Sequence, residues 1–322
     1  MPSGKRDQTS LVADIGGTNA RFAIMDPSGH VVRAGTRRVA DYATFHDALE
    51  AFLAAGDQRP GRAGFAVAGP VTGGQAAFTN SPWTIDQREL QSEDGFSACI
   101  VINDFAALGA YALGPPREDL LEIKPGRPLA SAPVLVIGPG TGLGISLAVP
   151  DGDRAVTVAT EGGHAVLAAT NSEEAALIDL ATEELGRPTT REDILSGSGL
   201  ERLHRVRMKY LDQTATNCTA VEITEGAISG HEFHRATVEQ FLLFLATSAS
   251  NAALATGARQ GVLIGGGILP RFREVVLESG FADRFVGESP MADYLREIPV
   301  HLIVAGDAAL RGAFMALRRI HS

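Results

Sequence analysis

The chain has 322 residues, with 45% hydrophobic and 20% charged side chains and a formal net charge of −10. This length predicts two domains, and an acidic balance without a block of like charge argues against nucleic acid and anionic membranes as partners. Two cysteines, Cys99 and Cys218, lie far apart with no CxxC spacing, which argues against a zinc site or a disulfide framework. With no signal-peptide pattern and no apolar stretch of spanning length, we expect a soluble, cytoplasmic protein.

The first predicted element is a glycine-tipped hairpin over Leu11 to Ile24, LVADIGGTNARFAI, which a turn at Asp26 to Gly29 extends to three antiparallel strands. The glycines of its tip, Gly16-Gly17-Thr18-Asn19, let backbone amides approach a phosphate, and the two polar residues add side-chain donors. A Gly-Gly turn between strands is more often only a turn, so the tip alone leaves both interpretations open.

Helical spacing predicts a helix over Thr44 to Ala55, and strands are predicted at Gly64 to Val67 and Cys99 to Ile102. The second strand leads through Asn103-Asp104 into a helix that Gly114-Pro115-Pro116 ends. This glycine-proline segment is the predicted domain boundary.

Beyond this boundary the opening pattern returns. A shift of 123 positions places Gly17 on Gly140, Thr18 on Thr141, Pro27 on Pro150 and Gly29 on Gly152. We interpret this as duplication of one supersecondary unit; chance similarity between glycine-rich turns is the alternative.

Capped helices are predicted from Asn171 and Thr190, and a long buried helix over Thr237 to Thr256. A strand over Gly261 to Ile264 leads into Gly265-Gly266-Gly267, and the last helix covers Ala308 to Leu317. His231 and His234 lie in a polar connection and are interpreted as surface residues.

Three glycine loops therefore follow predicted strands, yet none fits the Walker A or the GxGxxG pattern. Two duplicated hairpins can hold a triphosphate between them, and the third loop leaves room for adenine. The motifs ADIGGTNAR, FTNSPW, INDFAALG, GPGTGLG, EGGH, NSEE and GGGILPRF resemble those of bacterial glucokinases of the non-ROK type, in the actin and hexokinase superfamily. The resemblance covers nearly the whole chain.

This resemblance implies an α/β fold of two ribonuclease H-like domains with an interdomain cleft. The small domain would cover residues 1–114, completed by about 306–322, and the large domain residues 115–305. The implied activity is ATP-dependent phosphorylation of D-glucose to glucose 6-phosphate in glycolysis, by a homodimer. A catalytically silent sugar sensor of the same fold is one alternative. A carboxylate-pair glycosidase is another, although it has no use for three phosphate-type loops.

Asp104 is the candidate general base. A carboxylate at the mouth of a strand can accept the proton of a sugar hydroxyl as the γ-phosphoryl group is transferred. From the sequence alone, a cap for the helix beginning at Phe105 is the commoner role; the resemblance favours the base.

The other roles follow from the resemblance. It implies that glucose hydroxyls are bound by Asn80, Asn103, Asp104, Glu161, His164 and Glu192. From the residues alone, EGGH is an ordinary polar loop and Glu192 an exposed first-turn acid. It implies that ATP is bound by Asp14, Gly16, Gly17, Thr18, Asn19, Gly140, Thr141, Gly142, Gly265, Gly266 and Gly267. Asp14 would hold Mg²⁺ through water, with a strand-end turn acid as the alternative.

Overall fold

A computed structural model describes residues 9–57, 59–78, 83–151, 154–214 and 217–319 of the chain. Asn80 and Gly152 lie outside these ranges. The strands are β1 Ser10–Ile15, β2 Asn19–Met25, β3 Val31–Arg38, β4 Arg62–Val67, β5 Val71–Thr72, β6 Gln75–Ala77, β7 Thr84–Asp86, β8 Ala98–Asn103, β9 Leu120–Lys124, β10 Val134–Pro139, β11 Leu143–Asp151, β12 Arg154–Thr160, β13 Gly261–Ile264 and β14 Val300–Ile303.

The helices are α1 Phe45–Leu53, α2 Gln87–Ser92, α3 Asp104–Tyr111, α4 Ser172–Leu185, α5 Arg191–Ile194, α6 Gly197–Tyr210, α7 Ala220–Ile228, α8 Glu232–Thr256, α9 Arg273–Glu278, α10 Phe281–Val286, α11 Ala292–Arg296 and α12 Ala308–Arg319. Within the described residues, none of these helices combines the length and apolar character that a membrane span requires.

The chain divides into two compact units. The first contains the described parts of Met1–Gly114, Asp151–Ala159 and Asp307–Ser322, and the second contains those of Pro115–Pro150 and Thr160–Gly306.

The first unit is built on a five-stranded sheet of order β3-β2-β1-β4-β8. Strands β1 and β2 form an antiparallel hairpin that β3 extends, as the sequence predicts, while β4 and β8 are parallel to β1. One face packs on a core that includes Phe22, Phe45 and Phe65, and α12 packs on the other face around Ala313. Trp83, predicted in a polar loop, is instead 1% exposed and belongs to the first core.

The sheet of the second unit repeats this arrangement. Strands β10 and β11 form an antiparallel hairpin, β10 is parallel to β13, and β13 is parallel to β14. Because the hairpin and the parallel strands beside it recur in the same order, the internal repeat predicted from the sequence is a repeat of topology. Chance similarity between two turns does not account for it.

Helix α8 is the centre of the second core, with Phe241, Phe244 and Leu245 fully buried. It ends before Gly257 as predicted, but it begins at Glu232 rather than at Thr237. The difference arises at the cap, because the backbone N–H of His234 donates to the Nδ1 atom of His231 at 3.3 Å. Histidine is not among the residues that normally signal a helix start.

Candidate active site

Asp14 and Asp104 lie at the same edge of the first sheet. Asp14 is near the end of β1, Asp104 follows β8 directly, and both strands run parallel to β4 between them. Burial, and after it the negative charge of Asp14, raises the pKa of the Asp104 carboxyl to about 7. A carboxylate with a pKa near neutrality is suited to proton transfer.

Asp14 is itself largely withdrawn from solvent. Burial raises the pKa of its carboxyl, and the guanidinium of Arg21 on β2, 4.0 Å away, opposes this shift. An acid inside an apolar strand is costly unless it has a charged partner or ligand. Among the described residues, the ion pair with Arg21 is long, at 4.0 Å, and 26% of the Asp14 side chain is exposed.

Asn103, not Asp104, is the N-cap of α3. Its Oδ1 atom accepts hydrogen bonds from the backbone N–H groups of Phe105 at 2.9 Å and Ala106 at 3.3 Å, and its Nδ2 atom donates to Gly69 O at 3.0 Å. The alternative that Asp104 is the helix cap is therefore wrong. The Asp104 carboxylate accepts a hydrogen bond from the backbone N–H of Phe105 at 3.0 Å, and hydrogen bonds from Phe105, from its own backbone and from the Asn103 side chain partly oppose the rise of its pKa.

The glycines at the tip of the first hairpin are not required by the fold. Neither Gly16 nor Gly17 has a left-handed φ, and a Cβ atom added at Gly17 would have no neighbour within 4 Å. The Gly16 N–H donates to Asn19 O at 2.9 Å, and the tip residues Gly17 to Asn19 are exposed. Since turn geometry gives no reason for Gly17, the open space above it favours close approach of a ligand.

The second and third glycine loops pack against each other within the second unit. A Cβ atom at Gly138 would collide with the backbone of Gly265, and one at Gly266 would collide with Pro139 O. Gly266 also has a φ of +86°, which disfavours any other residue. These glycines bring two loops into backbone contact, whereas Gly140 and Gly267 have room for a side chain. The Gly140 N–H donates to Gly142 O at 2.7 Å, and its carbonyl accepts from the Gly197 N–H at 3.0 Å.

Glu161 and His164 project together from the turn that follows β12. Their carboxylate Oε2 and ring Nε2 atoms are 3.8 Å apart, and the side chains are 80% and 61% exposed. Gly163 beneath them lies so close to Leu143 O that no Cβ fits. The EGGH sequence thus holds a polar pair above the hairpin of β10 and β11.

Glu192 is tied to the same hairpin. Its Oε2 atom accepts a 2.8 Å hydrogen bond from the Leu143 N–H, and a Cβ atom at Gly142 would collide with the carboxylate. The Thr190 side chain caps α5 and so positions Glu192 in its first turn. Glu192 is therefore not the ordinary exposed acid that the residues alone suggest.

Two supporting residues were missed in the sequence analysis. Arg191 donates from Nη1 to Gly162 O at 3.3 Å, and Thr160 donates from Oγ1 to Ile145 O at 3.2 Å. Both hold the turn that carries Glu161 and His164. Their only sequence signal is adjacency to the predicted residues Glu192 and Glu161, because their partners are distant in the chain.

Comparison with known proteins extends over nearly the whole chain. The family described as Glucokinase matches residues 11–320. The glucokinase of a Caulobacter species is 37% identical over 314 residues, covering 95% of this chain and 94% of the relative. The glucokinase of Paramagnetospirillum magneticum is 39% identical over 300 residues, covering 92% and 93%.

Solved structures agree. A crystal structure of glucokinase from an Antarctic psychrotroph superposes with a TM-score of 0.88 at 34% identity, covering 97% of this chain and 99% of that one. A ROK family glucokinase from Streptomyces griseus in complex with glucose and AMPPNP superposes with a TM-score of 0.66 at 19% identity, covering 97% and 99%, which shows a shared fold. The resemblance found in the sequence motifs is confirmed, and this chain belongs to the glucokinase family.

Proposed function

We propose that this protein transfers the γ-phosphoryl group of ATP to the 6-hydroxyl of D-glucose, with Asp104 as the general base. Family membership supports the overall reaction. The observation that carries the role of Asp104 is its place at the sheet edge beside Asp14, with a carboxyl pKa raised to about 7 by burial.

Asp104 acts on the attacking hydroxyl. The 6-oxygen forms a bond to the γ-phosphorus, the bond between that phosphorus and the β,γ-bridging oxygen breaks, and the hydroxyl proton passes to a carboxylate oxygen of Asp104. ADP leaves with the electron pair of the broken bond. Removal of the proton as the new bond forms avoids a positively charged sugar oxygen.

Glucose is oriented by paired donors and acceptors. Glu161 accepts from sugar hydroxyls and His164 donates or accepts beside it, supported by their 3.8 Å separation. The hydrogen bond from Asn103 Nδ2 to Gly69 O fixes this amide beside Asp104, where it contacts an adjacent sugar hydroxyl. Glu192 and Asn80 complete the proposed set, although Asn80 lies outside the described residues.

The glycine loops bind the phosphates through backbone amides. Two positions that have space for a Cβ atom yet carry glycine support this role, Gly17 and Gly267. Gly140, whose N–H donates to Gly142 O at 2.7 Å, contributes to the loop by its small size. Thr18, Asn19 and Thr141 add side-chain donors. Gly16, Gly142, Gly265 and Gly266 shape the same loops.

The residues present fit a Mg²⁺ ion. Asp14 offers a hard carboxylate oxygen that is partly exposed and lies 4.0 Å from the Arg21 guanidinium. Mg²⁺ is commonly held by one or two carboxylates, several waters and the substrate phosphates. Asp14 would hold the ion through water. When bound, Mg²⁺ neutralises charge on the phosphates.

The alternative of a catalytically silent sugar sensor has no support from the relatives, which are named glucokinases. We also propose a cytoplasmic homodimer, as the family resemblance implies. A sedimentation experiment would test the dimer.

The decisive experiment measures ADP release from MgATP with and without glucose. We expect release that depends on glucose, and a turnover lowered by roughly 10²-fold or more in Asp104→Ala, with calorimetry showing that glucose still binds. Asp57→Asn, an exposed carboxylate of the same unit, is the control and should match the wild type. If no hexose stimulates ADP release, the proposed kinase activity is refuted. If Asp104→Ala has normal turnover, only the assignment of Asp104 as the general base is refuted.

A further inference from the structure

Arg38 lies beside the tip of the first hairpin. It is the last residue of β3, and the antiparallel pairing of β2 with β3 places it opposite Asn19. The next residue, Val39, donates from its backbone N–H to Thr18 O at 2.9 Å, which fixes the end of β3 against the tip. Because directly opposed residues of an antiparallel pair have Cβ atoms about 5 Å apart, the side chains of Arg38 and Asn19 are neighbours.

Arg38 shares a face of the sheet with Asp14 and Arg21. Val12 belongs to the core on the α12 side of the sheet, and side chains alternate between faces along a strand, so Asp14, two residues later, lies on that side as well. Arg21 opposes Asp14 in register, and Asn19 lies two residues before Arg21. The pairing of Asn19 with Arg38 extends the same face to the end of β3.

The preceding arginine, Arg37, lies on the opposite face. Its guanidinium carbon is 5.9 Å from the centroid of the Phe52 ring, and its Nη2 atom donates to Ala51 O at 3.2 Å. Phe52 belongs to the core that includes Phe22, on the side of the sheet away from α12. Two consecutive residues thus carry equal charges on opposite faces, and of the two only Arg38 lies on the face of Asp14.

The Arg38 side chain has no structural role that its contacts reveal. It is exposed, it does not cap the short helix that follows, and the structure gives it neither an ion pair nor a hydrogen bond within the ranges that it describes. Arg59 of the same unit, by contrast, lies 3.5 Å from the Glu50 carboxylate. The guanidinium of Arg38 is therefore available to a ligand.

Positive charge at this place favours a polyanion. The chain has a formal net charge of −10, so its overall field repels a nucleoside triphosphate. Arg21, whose side chain is 55% exposed, and Arg38 place two guanidinium groups on one face beside the exposed hairpin tip. Like charges on neighbouring strands destabilise each other, and an anion bound between them removes that repulsion. An arginine also matches phosphate geometry, because it can donate two parallel N–H···O bonds.

We propose that Arg38 binds a phosphate group of ATP and extends the nucleotide site from the hairpin tip to the end of β3. This inference rests on the proposed function. The contact forms with the substrate and persists through the reaction, so it lowers the KM for ATP without raising kcat. The alternative is that Arg38 only protects β3, an edge strand of its sheet, from pairing with another chain. That role does not involve nucleotide.

The test compares Arg38→Met with Arg37→Met in the full-length protein, because these variants lose the same charge from opposite faces. In Arg38→Met we expect the KM for ATP to rise about five- to tenfold, as for loss of a charge-assisted hydrogen bond at an exposed position, with kcat and the KM for glucose unchanged. Arg38→Lys should recover part of the loss. Arg37→Met should keep the KM of the wild type, and circular dichroism checks that each variant folds.

Salt and a non-hydrolysable nucleotide provide two further readouts. The KM for ATP of the wild type should rise more steeply with KCl than that of Arg38→Met, because salt screens exposed charges. Calorimetry with AMPPNP and Mg²⁺ measures binding without turnover, so it tests Arg38 even if glucose fails to stimulate ADP release, a result that refutes the proposed function. Three outcomes would overturn the role of Arg38: no AMPPNP binding by the wild type, unchanged affinity in Arg38→Met, or an equal loss in Arg37→Met.

Discussion

Glu192 Oε2 accepts a 2.8 Å hydrogen bond from the backbone N–H of Leu143, the residue that follows the glycine loop of the second hairpin. One residue with a proposed contact to the sugar thereby restrains a loop with a proposed contact to phosphate. The absence of a Cβ atom at Gly142 permits this approach. Within the second unit, one hydrogen bond thus connects the residue proposed to bind sugar with the loop proposed to bind phosphate.

Replacement of Glu192 by Ala should therefore raise the KM for ATP as well as that for glucose. A buried N–H without its acceptor costs about 1–3 kcal/mol, so we expect each KM to rise about tenfold in steady-state kinetics. Glu192→Gln retains an acceptor and should restore most of the ATP affinity. Glu183→Ala, which removes an exposed pair with Lys209, is the control. A rise confined to the KM for glucose would contradict the link.

The pH dependence of kcat/KM should report the ionisation of Asp104. With a carboxyl pKa of about 7, the base is protonated below neutrality, so kcat/KM should fall about tenfold per pH unit as the pH drops below 7. Asp14→Asn removes a like charge and should move this limb to lower pH, whatever its effect on the absolute rate. A limb near the usual carboxyl pKa in the wild type would count against Asp104 as the base.

Substitution by alanine should affect ATP binding at a glycine that has room for a Cβ atom, and stability at a glycine that has none. Gly17→Ala should leave the free energy of unfolding within about 0.5 kcal/mol of the wild type. It should raise the KM for ATP by about 10-fold or more, as expected for loss of a hydrogen bond to a charged group. Gly266→Ala forces a side chain into a φ of +86° against Pro139 O and should lower stability by more than about 1 kcal/mol. Denaturant unfolding and kinetics on both variants separate the two roles.

The sequence predicted features that depend on local chemistry. The hairpin of β1 and β2 was recognised from its glycine tip, and the starts of α4 and α5 from the capping residues Asn171 and Thr190. Each of these signals acts within a few residues, through a turn or a side-chain bond to a nearby N–H. The family motifs then supplied the candidate site residues, which local patterns alone did not distinguish from turns and caps.

Features that depend on distant contacts were missed. Trp83 lies in a loop, as predicted, but its burial was missed. That burial, with a hydrogen bond from Nε1 to Tyr42 O at 3.1 Å, depends on a segment far away in sequence. His234, predicted to be a surface residue, is instead half-buried, because its ring packs with its centroid 5.2 Å from that of His204 on another helix. Such arrangements are produced by helix packing, which local periodicity does not encode.

Glu174 is a further residue whose role depends on packing. It lies in the first turn of α4 and is fully buried. Its carboxylate accepts hydrogen bonds from Arg284 Nη1, Gln240 Nε2 and the N–H and hydroxyl of Thr170. Burial alone would raise its pKa, but these hydrogen bonds, led by that from Arg284, lower it. Glu174 is thus ionised in the folded protein. Because its folded pKa is lowered, the stability that it contributes is present above the unfolded pKa and is lost as the pH falls through the folded pKa.

Removal of Arg284 should therefore destabilise the second unit severely. Arg284→Met leaves a buried carboxylate without its cation, which costs about 3–5 kcal/mol in the free energy of unfolding. Without Arg284, burial raises the pKa of Glu174, so its protonation relieves that cost and the deficit relative to the wild type should shrink as the pH falls from 8 to 4 in denaturant titrations. Glu174→Gln with Arg284→Met should recover much of the loss, since no charge is then buried. A deficit that is the same at pH 4 and pH 8 would show that lost packing, rather than an unpaired charge, is responsible.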